Sequence, residues 1–573
     1  MGGQAGFSAR QARALDRLHA RWAGFARPAT GFVSQPEPRS IGLYARGRQL
    51  VAGNFLFSGH LVEAPGLSIW DIAMPDPAFE AEVQGFAWLD DLAALGDGAA
   101  RRRAQDWTWG WIARCGRGRG PGWVPELTGR RIIRWINHAL FLLNGQDRRA
   151  TETYYRALSR QTVFLSRRWH SAPPGLPRFE ALTGLIYAGL ALTGMEQHVS
   201  PARAALDREC AAGIDGEGGI PTRNPEELLE VFTLLTWAAQ ALTETGRRPG
   251  AAHLAAIERI APTLRALRHA DGGLARFHGG GRGMEGRLDQ ALATSGVKPA
   301  PQTGLSMGFA RLSGGRTSVI VDAAPPPAGR ASTMAHASTL GFELTSGRRP
   351  VIVSCGSGAP FGRDWRRAGR ATASHSTLEI EGFSSSRLGT GGNEELADRA
   401  PVDLSELVTD AGETRLTVAQ DGWLETHGLT HRRTLILSHD GRRLAGEDAL
   451  GAPTAQARRL LDQMISRADG GVRFMLRFHL HPDVDAAIDL GGAAVSLGLK
   501  SGELWIFRHS GGARLSLDPS VFLEKGRLKP RPTLQIVLLA SLTGPEARIG
   551  WTLAKAQDTP LAIRDLGRDD PAA

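Results

Sequence analysis

Histidine is the side chain whose charge changes nearest neutral pH, and two histidines, His336 and His375, stand on neighbouring strand-like motifs. A pair of that kind suits a base, an acid or a metal site. Cys355 lies one strand after His336. Imidazole and thiolate are both accepted by Zn²⁺, so His336, Cys355 and His375 form a candidate zinc set. The plainer alternative is two histidines that satisfy backbone groups beside a buried, inert cysteine. Arg223 and Asn224 stand just before a helix. A guanidinium there can hold a carboxylate through two parallel hydrogen bonds, or it can brace the loop while Asn224 caps the helix. Arg366, Arg367 and Arg370 precede the His375 strand and suit either an anionic groove or a solvated edge. Glu180 can serve as an acid or as a helix cap. Asn137 is read as a cleft residue and His138, its neighbour, as surface. Trp135, with Trp107, Trp109 and Trp111, offers aromatic faces for sugar rings or simply fills a core. His479 and His481 alternate onto one strand face, as a metal pair or a structural pair.

The elements that must carry these residues fall into two textures. Up to about residue 270 the apolar spacing is helical. In GRRIIRWINHALFLLNG, Ile132, Ile136, Ala139, Leu140 and Leu143 mark one face, with Gly145 as the stop. Similar patterns run over 86–96, 151–168, 178–193, 199–211, 225–244 and 250–268. In the 225–244 segment Pro225 suits the first turn, Asn224 the cap, and Leu228, Leu229, Phe232 and Leu235 a buried stripe. Long helices joined by short Gly/Pro turns imply antiparallel helix pairs. Between 271 and 305 the chain turns Gly-rich, and beyond it short strands recur. Examples are 318–322, 340–344, 377–381, 433–437, 472–480, 504–507 and 534–539, punctuated by turns such as Ser346-Gly347 and Asp440-Gly441. The order is all-α, then all-β, which suggests an antiparallel sandwich in the second half.

Bulk properties bound the answer. At 573 residues the chain has room for two to four domains. No run of about 18 apolar residues appears, so no membrane-inserted helix is expected. The first 25 residues read as an Arg-rich polar helix without an apolar leader region, so the cytoplasm is expected, or the periplasm if the true start lies upstream. Three scattered cysteines imply no disulfide framework. A net charge of +10 favours anionic partners, or serves solubility alone. No zinc finger, RNA-recognition signature or phosphate loop is present, so nucleic acid is not expected as a partner.

Four segments resemble the heparinase II/III polysaccharide lyases. They are Trp123 to Glu126 leading into Arg131–Asn137, the loop from Gly213 to Pro225, MAHASTLGFELTSGRRPVIVSCG from Met334 to Gly356, and WRRAGRATASHSTLEIEG from Trp365 to Gly382. The last two carry most of the specificity. The resemblance implies an α+β multidomain fold: an incomplete (α/α) toroid over 1–290, then an antiparallel β-sandwich over 300–565. It also implies an acidic, uronate-containing polysaccharide as partner and β-elimination as the reaction. That chemistry needs a base for the proton beside the carboxylate, a neutraliser for the enolate-like state and an acid for the leaving oxygen.

The resemblance points to His336, His375 and Glu180 as the catalytic set, with Tyr187 as the substitute for the missing family tyrosine if it faces the cleft. The substrate-binding set is Arg223, Asn224, Arg370, Asn137 and Trp135, and a zinc site in the β-domain would use His336, Cys355 and His375. The sequence departs from the family pattern at telling places. Met334 stands where the family's first histidine is expected, Ser354 near its metal-site aspartate, and Glu227 near its tyrosine after the Asp-Gly loop. Only four tyrosines exist, Tyr44, Tyr154, Tyr155 and Tyr187. Two readings follow: a lyase with a rearranged set, or a catalytically degenerate glycan-binding protein on the same scaffold.

Overall fold

The computed structural model describes residues 2–34, 38–300, 303–389, 394–410, 412–467 and 470–556. The chain forms two compact units that interleave in sequence. The first comprises Met1–Ile220, Glu227–Ala261 and Asp289–Lys298; the second comprises Pro221–Glu226, Pro262–Leu288 and the chain from Pro299 onward. No single cut near residue 290 separates them, because 262–288 packs with the second unit and 289–298 with the first. The expected end at 565 lies outside the described residues.

The first unit is the incomplete (α/α) toroid. Its helices include Pro125–Asn137, Arg148–Arg168, Leu176–Ala191 and Val199–Gly213, with most of Pro225–Glu244 and Ala251–Ala266. Close approach of Pro125–Asn137 to Leu176–Ala191 depends on Gly129 and Gly184, since a Cβ at Gly184 would sit 2.5 Å from the Cα of Gly129. The apolar face expected to run through Leu143 is broken at His138, whose φ of −104° and ψ of 21° end one helix before Ala139–Leu143 begins. The break rotates the face, and Leu140 is left 76% exposed. No helix among the described residues is long and apolar enough to cross a membrane.

The second unit is an antiparallel sandwich of two eight-stranded sheets. One runs, in spatial order, Arg514–Phe522, Arg531–Leu542, Val472–Leu480, Arg349–Val353, Phe342–Ser346, Thr317–Asp322 and Phe309–Gly314, with Leu378–Ile380 also paired to Val472–Leu480. The other includes Glu413–Trp423, Leu429–Ser438, Arg443–Gly451 and Glu546–Lys555 as consecutive neighbours. Alternating burial along Leu429–Ser438 sends every second residue into the core, as the period of two requires. The core is aromatic at its centre: Phe342 stacks on Trp551 at 5.8 Å, and Phe478 meets the same ring edge-on at 4.9 Å. Trp551 fits only because its neighbour across the ladder is Gly446, where a Cβ would lie 2.1 Å from the indole.

A buried polar network joins this core to the histidine segments. Asp448 accepts from Arg433 Nε and from the His431 ring at 2.7 Å each, and from Trp551 Nε1 at 2.9 Å. Burial acts to raise its pKa, but Arg433 and His431 prevail and hold the carboxyl well below the usual range. Arg433 Nη1 then donates to the carbonyls of Leu340 (2.7 Å) and Ser376 (2.9 Å). One guanidinium thereby fixes both backbone segments that present His336 and His375.

Candidate functional site

Within the sandwich unit His336 and His375 do come together, with ring centroids 5.2 Å apart. A third imidazole completes the group: His278 Nδ1 accepts from the His336 backbone N–H at 3.3 Å. All three are buried, and burial is the largest cause of their lowered pKa values. His336 is pushed down to about 3, and the other two lie well below the ordinary range. His375 Nδ1 pairs with Ser354 Oγ at 3.0 Å. His375 Nε2 and His336 Nδ1 find no hydrogen-bond partner among the described residues. His278 Nε2 also lacks a hydrogen-bond partner among them, so the cluster is neutral at physiological pH with three orphaned ring nitrogens.

Asp322 anchors the group. Its Oδ1 accepts from Arg223 Nη2 at 2.6 Å, its Oδ2 accepts from Ser338 Oγ at 2.7 Å, and His278 Nε2 stands 3.4 Å away. Arg223 was expected to hold a substrate carboxylate, and here the structure corrects the sequence reading. Nε donates to Met307 O; Nη1 donates to Ala324 O and Pro325 O; Nη2 donates to Gly308 O as well as to Asp322. Every donor direction of the guanidinium is committed to protein, and its face covers Phe309 at 4.6 Å. Asn224 behaves as the capping alternative, accepting from Glu226 N at 3.0 Å. Arg370 is pinned likewise, by the carbonyls of Ala335, Ser332 and Glu394 and by the Glu394 carboxylate.

The zinc set is not assembled. Cys355 Sγ turns to His479 Nδ1 at 3.6 Å and Ser520 Oγ at 3.9 Å, and burial pushes its thiol pKa up. No group of three or more metal-binding side chains forms among the described residues. Ser354, where a family aspartate is expected, gives His375 a neutral hydroxyl instead of a charged ligand. The residues present do not fit the ion. His479, its Nε2 against Ala373 O at 2.9 Å, fulfils the structural reading.

In the toroid unit Glu180 is buried in the second turn of Leu176–Ala191, not at its start. Arg130 holds it in a fork, Nε to Oε1 at 2.8 Å and Nη2 to Oε2 at 3.0 Å. Burial raises the Glu180 pKa while Arg130 opposes it. Glu82, Glu126 and Glu230 also act on Arg130 or are acted on by it, so carboxylates outnumber guanidiniums around this residue. Tyr187 is fully buried, which raises its phenol pKa. Asn137 is buried with neither side-chain atom hydrogen-bonded among the described residues. Trp135 offers no free face to a sugar: it lies in the core, stacked on Tyr154 at 5.4 Å. His138, expected at the surface, is buried with its ring 2.8 Å from Asp90, which Arg134 also holds.

Sequence reasoning missed His278, Asp322 and Arg130. Only faint signals marked them: a histidine inside a Gly-rich turn at a φ of +48°, an acid closing an apolar strand, and one member of a short Arg pair.

A family model described as heparinase II/III-like, C-terminal, matches residues 297–552. FtsZ-localized protein C of Caulobacter vibrioides (strain NA1000 / CB15N) is 31% identical over 554 residues, covering 92% of this chain and 91% of that protein. This chain belongs to the heparinase II/III-like family. The heparinase fold extends over nearly the whole chain. A crystal structure of heparinase III superposes with a TM-score of 0.67 at 14% identity, covering 96% of this chain and 90% of that one. The heparan sulfate lyase HepC from Pedobacter heparinus gives 0.56 at 13% identity, covering 96% and 89%. The heparinase-like likeness to these lyases is one of fold.

Proposed function

We propose that this heparinase-fold protein carries out no β-elimination and acts as a binding protein at sites of FtsZ localisation. The commitment of Arg223 carries the first half. An eliminating site needs a cation or hydrogen-bond donor free to neutralise the substrate carboxylate, and all donors of Arg223, the candidate read for that task, are taken by Asp322 and four carbonyls. The burial of His336, His375, Tyr187 and Glu180 supports the same reading. The excess of carboxylates around Arg130 disfavours an acidic glycan in the toroid. The second half rests on the FtsZ-localized relative, which matches along nearly its full length. We assign the protein to the cytoplasm on the same reading.

Elimination of an acidic polysaccharide is the second reading. It is favoured by two of the three orphaned nitrogens, His336 Nδ1 and His375 Nε2, which would be the base and acid. One experiment separates the two. The purified protein is mixed with a panel of uronate polysaccharides, and absorbance of the unsaturated product is followed, while a fluorescent fusion is imaged with and without FtsZ depletion. A flat trace with FtsZ-dependent foci is expected. A rise in absorbance abolished by His336→Ala would overturn the first half, and foci that persist without FtsZ would overturn the second.

A further inference from the structure

The opening segment, which reads in sequence as an Arg-rich polar helix, does form a helix, Gly2–Trp22, but one with an exposed apolar edge. It belongs to the toroid unit. Asp16 and Ala20 turn inward, as does Ala23 in the short turn that follows. Arg168 Nε donates to Asp16 Oδ1 at 2.6 Å, and Ser171 Oγ donates to the same oxygen at 3.3 Å. That buried ion pair fixes which face of the helix meets the protein. On the other side stand Leu15, Leu18, Trp22 and Phe25, whose spacing of three, four and three makes one stripe along the helix and its last turn. All four are exposed, Trp22 by 50% and Phe25 by 90%. Single apolar side chains at a surface need no explanation, but a contiguous row of large ones marks a contact surface.

The charge beside this stripe has one sign. Arg13, Arg17 and Arg21 follow one another at intervals of four residues, and Arg27 lies just past the turn; all are exposed, with no ion pair among the described residues. The carboxylate of the same stretch, Asp16, is taken by Arg168. Glu126, which Asp16 influences, is half-buried, and burial raises its pKa. The adjoining surface adds cations. A Cβ at Gly24 would lie 3.6 Å from Arg160 Nε. Burial lowers the Arg160 pKa, and Arg156 and Arg117 beside it lower it further. A basic helix with Trp, Leu and Phe along its outer edge suits an anionic bilayer: the apolar side chains enter the headgroup boundary, where Trp is favoured, while guanidiniums meet lipid phosphates. A second copy of the helix suits it less, because the arginines would meet their own kind. We propose that this helix and the turn after it, through Leu15, Leu18, Trp22 and Phe25 with Arg13, Arg17 and Arg21, dock the protein on an anionic lipid surface. The helix lies in that surface and does not cross it. The inference does not depend on the proposed role at FtsZ.

The test is co-sedimentation of the full chain with vesicles of phosphatidylglycerol and phosphatidylcholine in equal parts, and with vesicles of phosphatidylcholine alone. The parent is expected to pellet with the anionic vesicles, far less with the neutral ones, and to be released as salt rises. Trp22→Ser with Phe25→Ser removes apolar anchors, and Arg17→Ala with Arg21→Ala removes two charges. All four side chains are exposed, and circular dichroism with thermal melting checks that each paired variant folds as the parent does. Each pair is expected to lose roughly tenfold or more in affinity for the anionic vesicles. Parent-like pelleting by both folded pairs would overturn this helix as the docking element. Equal pelleting of the parent with both kinds of vesicle would overturn the anionic preference. A parent that stays in the supernatant would overturn the proposal outright and leave the stripe to an acidic protein partner.

Discussion

The two regions that hold the candidate site residues keep their titratable groups in place by opposite means. Around Arg130 in the toroid unit the groups are charged, and Glu180 stays paired with the guanidinium in its buried setting. Around Asp322 in the sandwich unit, three imidazoles are neutral because burial makes their protonation costly. One region has its reactivity balanced by a counter-charge, the other by desolvation. A residue that matches a family motif in type and position therefore need not match it in protonation or availability.

The sharpest way to break this comparison is Arg223→Ala. If Arg223 is structural, the substitution strands Asp322 in the core and costs about 3–5 kcal/mol, as loss of one partner of a buried pair does. At about 2–4 °C per kcal/mol, thermal melting would fall by roughly 6–20 °C. Were Arg223 a substrate grip, stability would hold and ligand binding alone would fall.

The pH dependence tests the neutral side. Free histidine titrates near 6.5 and His336 in the fold near 3. Between those values the unfolded chain binds more protons than the folded one, so stability rises with pH across that window. The contribution is about 1.4 kcal/mol per pH unit for each such histidine and is lost as acid enters from pH 6.5 downward. Denaturant melts from pH 4 to 8 should show this slope, and His336→Asn should flatten it.

Asp91 gives a smaller contrast in the toroid unit. It accepts from Leu43 N at 2.7 Å, and burial pushes its pKa up from 3.8 to about 6. A raised carboxyl loses stability as pH rises from the unfolded value of 3.8 through the folded value of about 6 and carries its full penalty above that, so Asp91→Asn should stabilise by on the order of 3 kcal/mol at pH 8 and about half as much at pH 5. Equal effects at both pH values would mean that its charge carries no penalty.

What was legible in the sequence was whatever is periodic. The helix at 225–244 with its Asn224 cap and the strand at 318–322 follow from spacing alone, and His336 with His375 was found through motif order. The illegible part depends on where side chains end. Arg223 reads as a free cation until its carbonyl partners at 307, 308, 324 and 325 are brought round it by the fold. Cys355 looks adjacent to His336 along the strands, yet its side chain faces His479. The break at His138 answers to Asp90, 48 residues away, which no local window contains.

The void at Gly446 that admits Trp551 offers a handle for genetics. Trp551 on the next strand of the same sheet leaves no room there for a methyl group, and strain of that sort weakens a fold by degrees. Gly446→Ala is thus a natural choice for a temperature-sensitive allele: protein that functions in cool-grown cells and is lost on a shift to warmth, letting its role be withdrawn within a single division cycle.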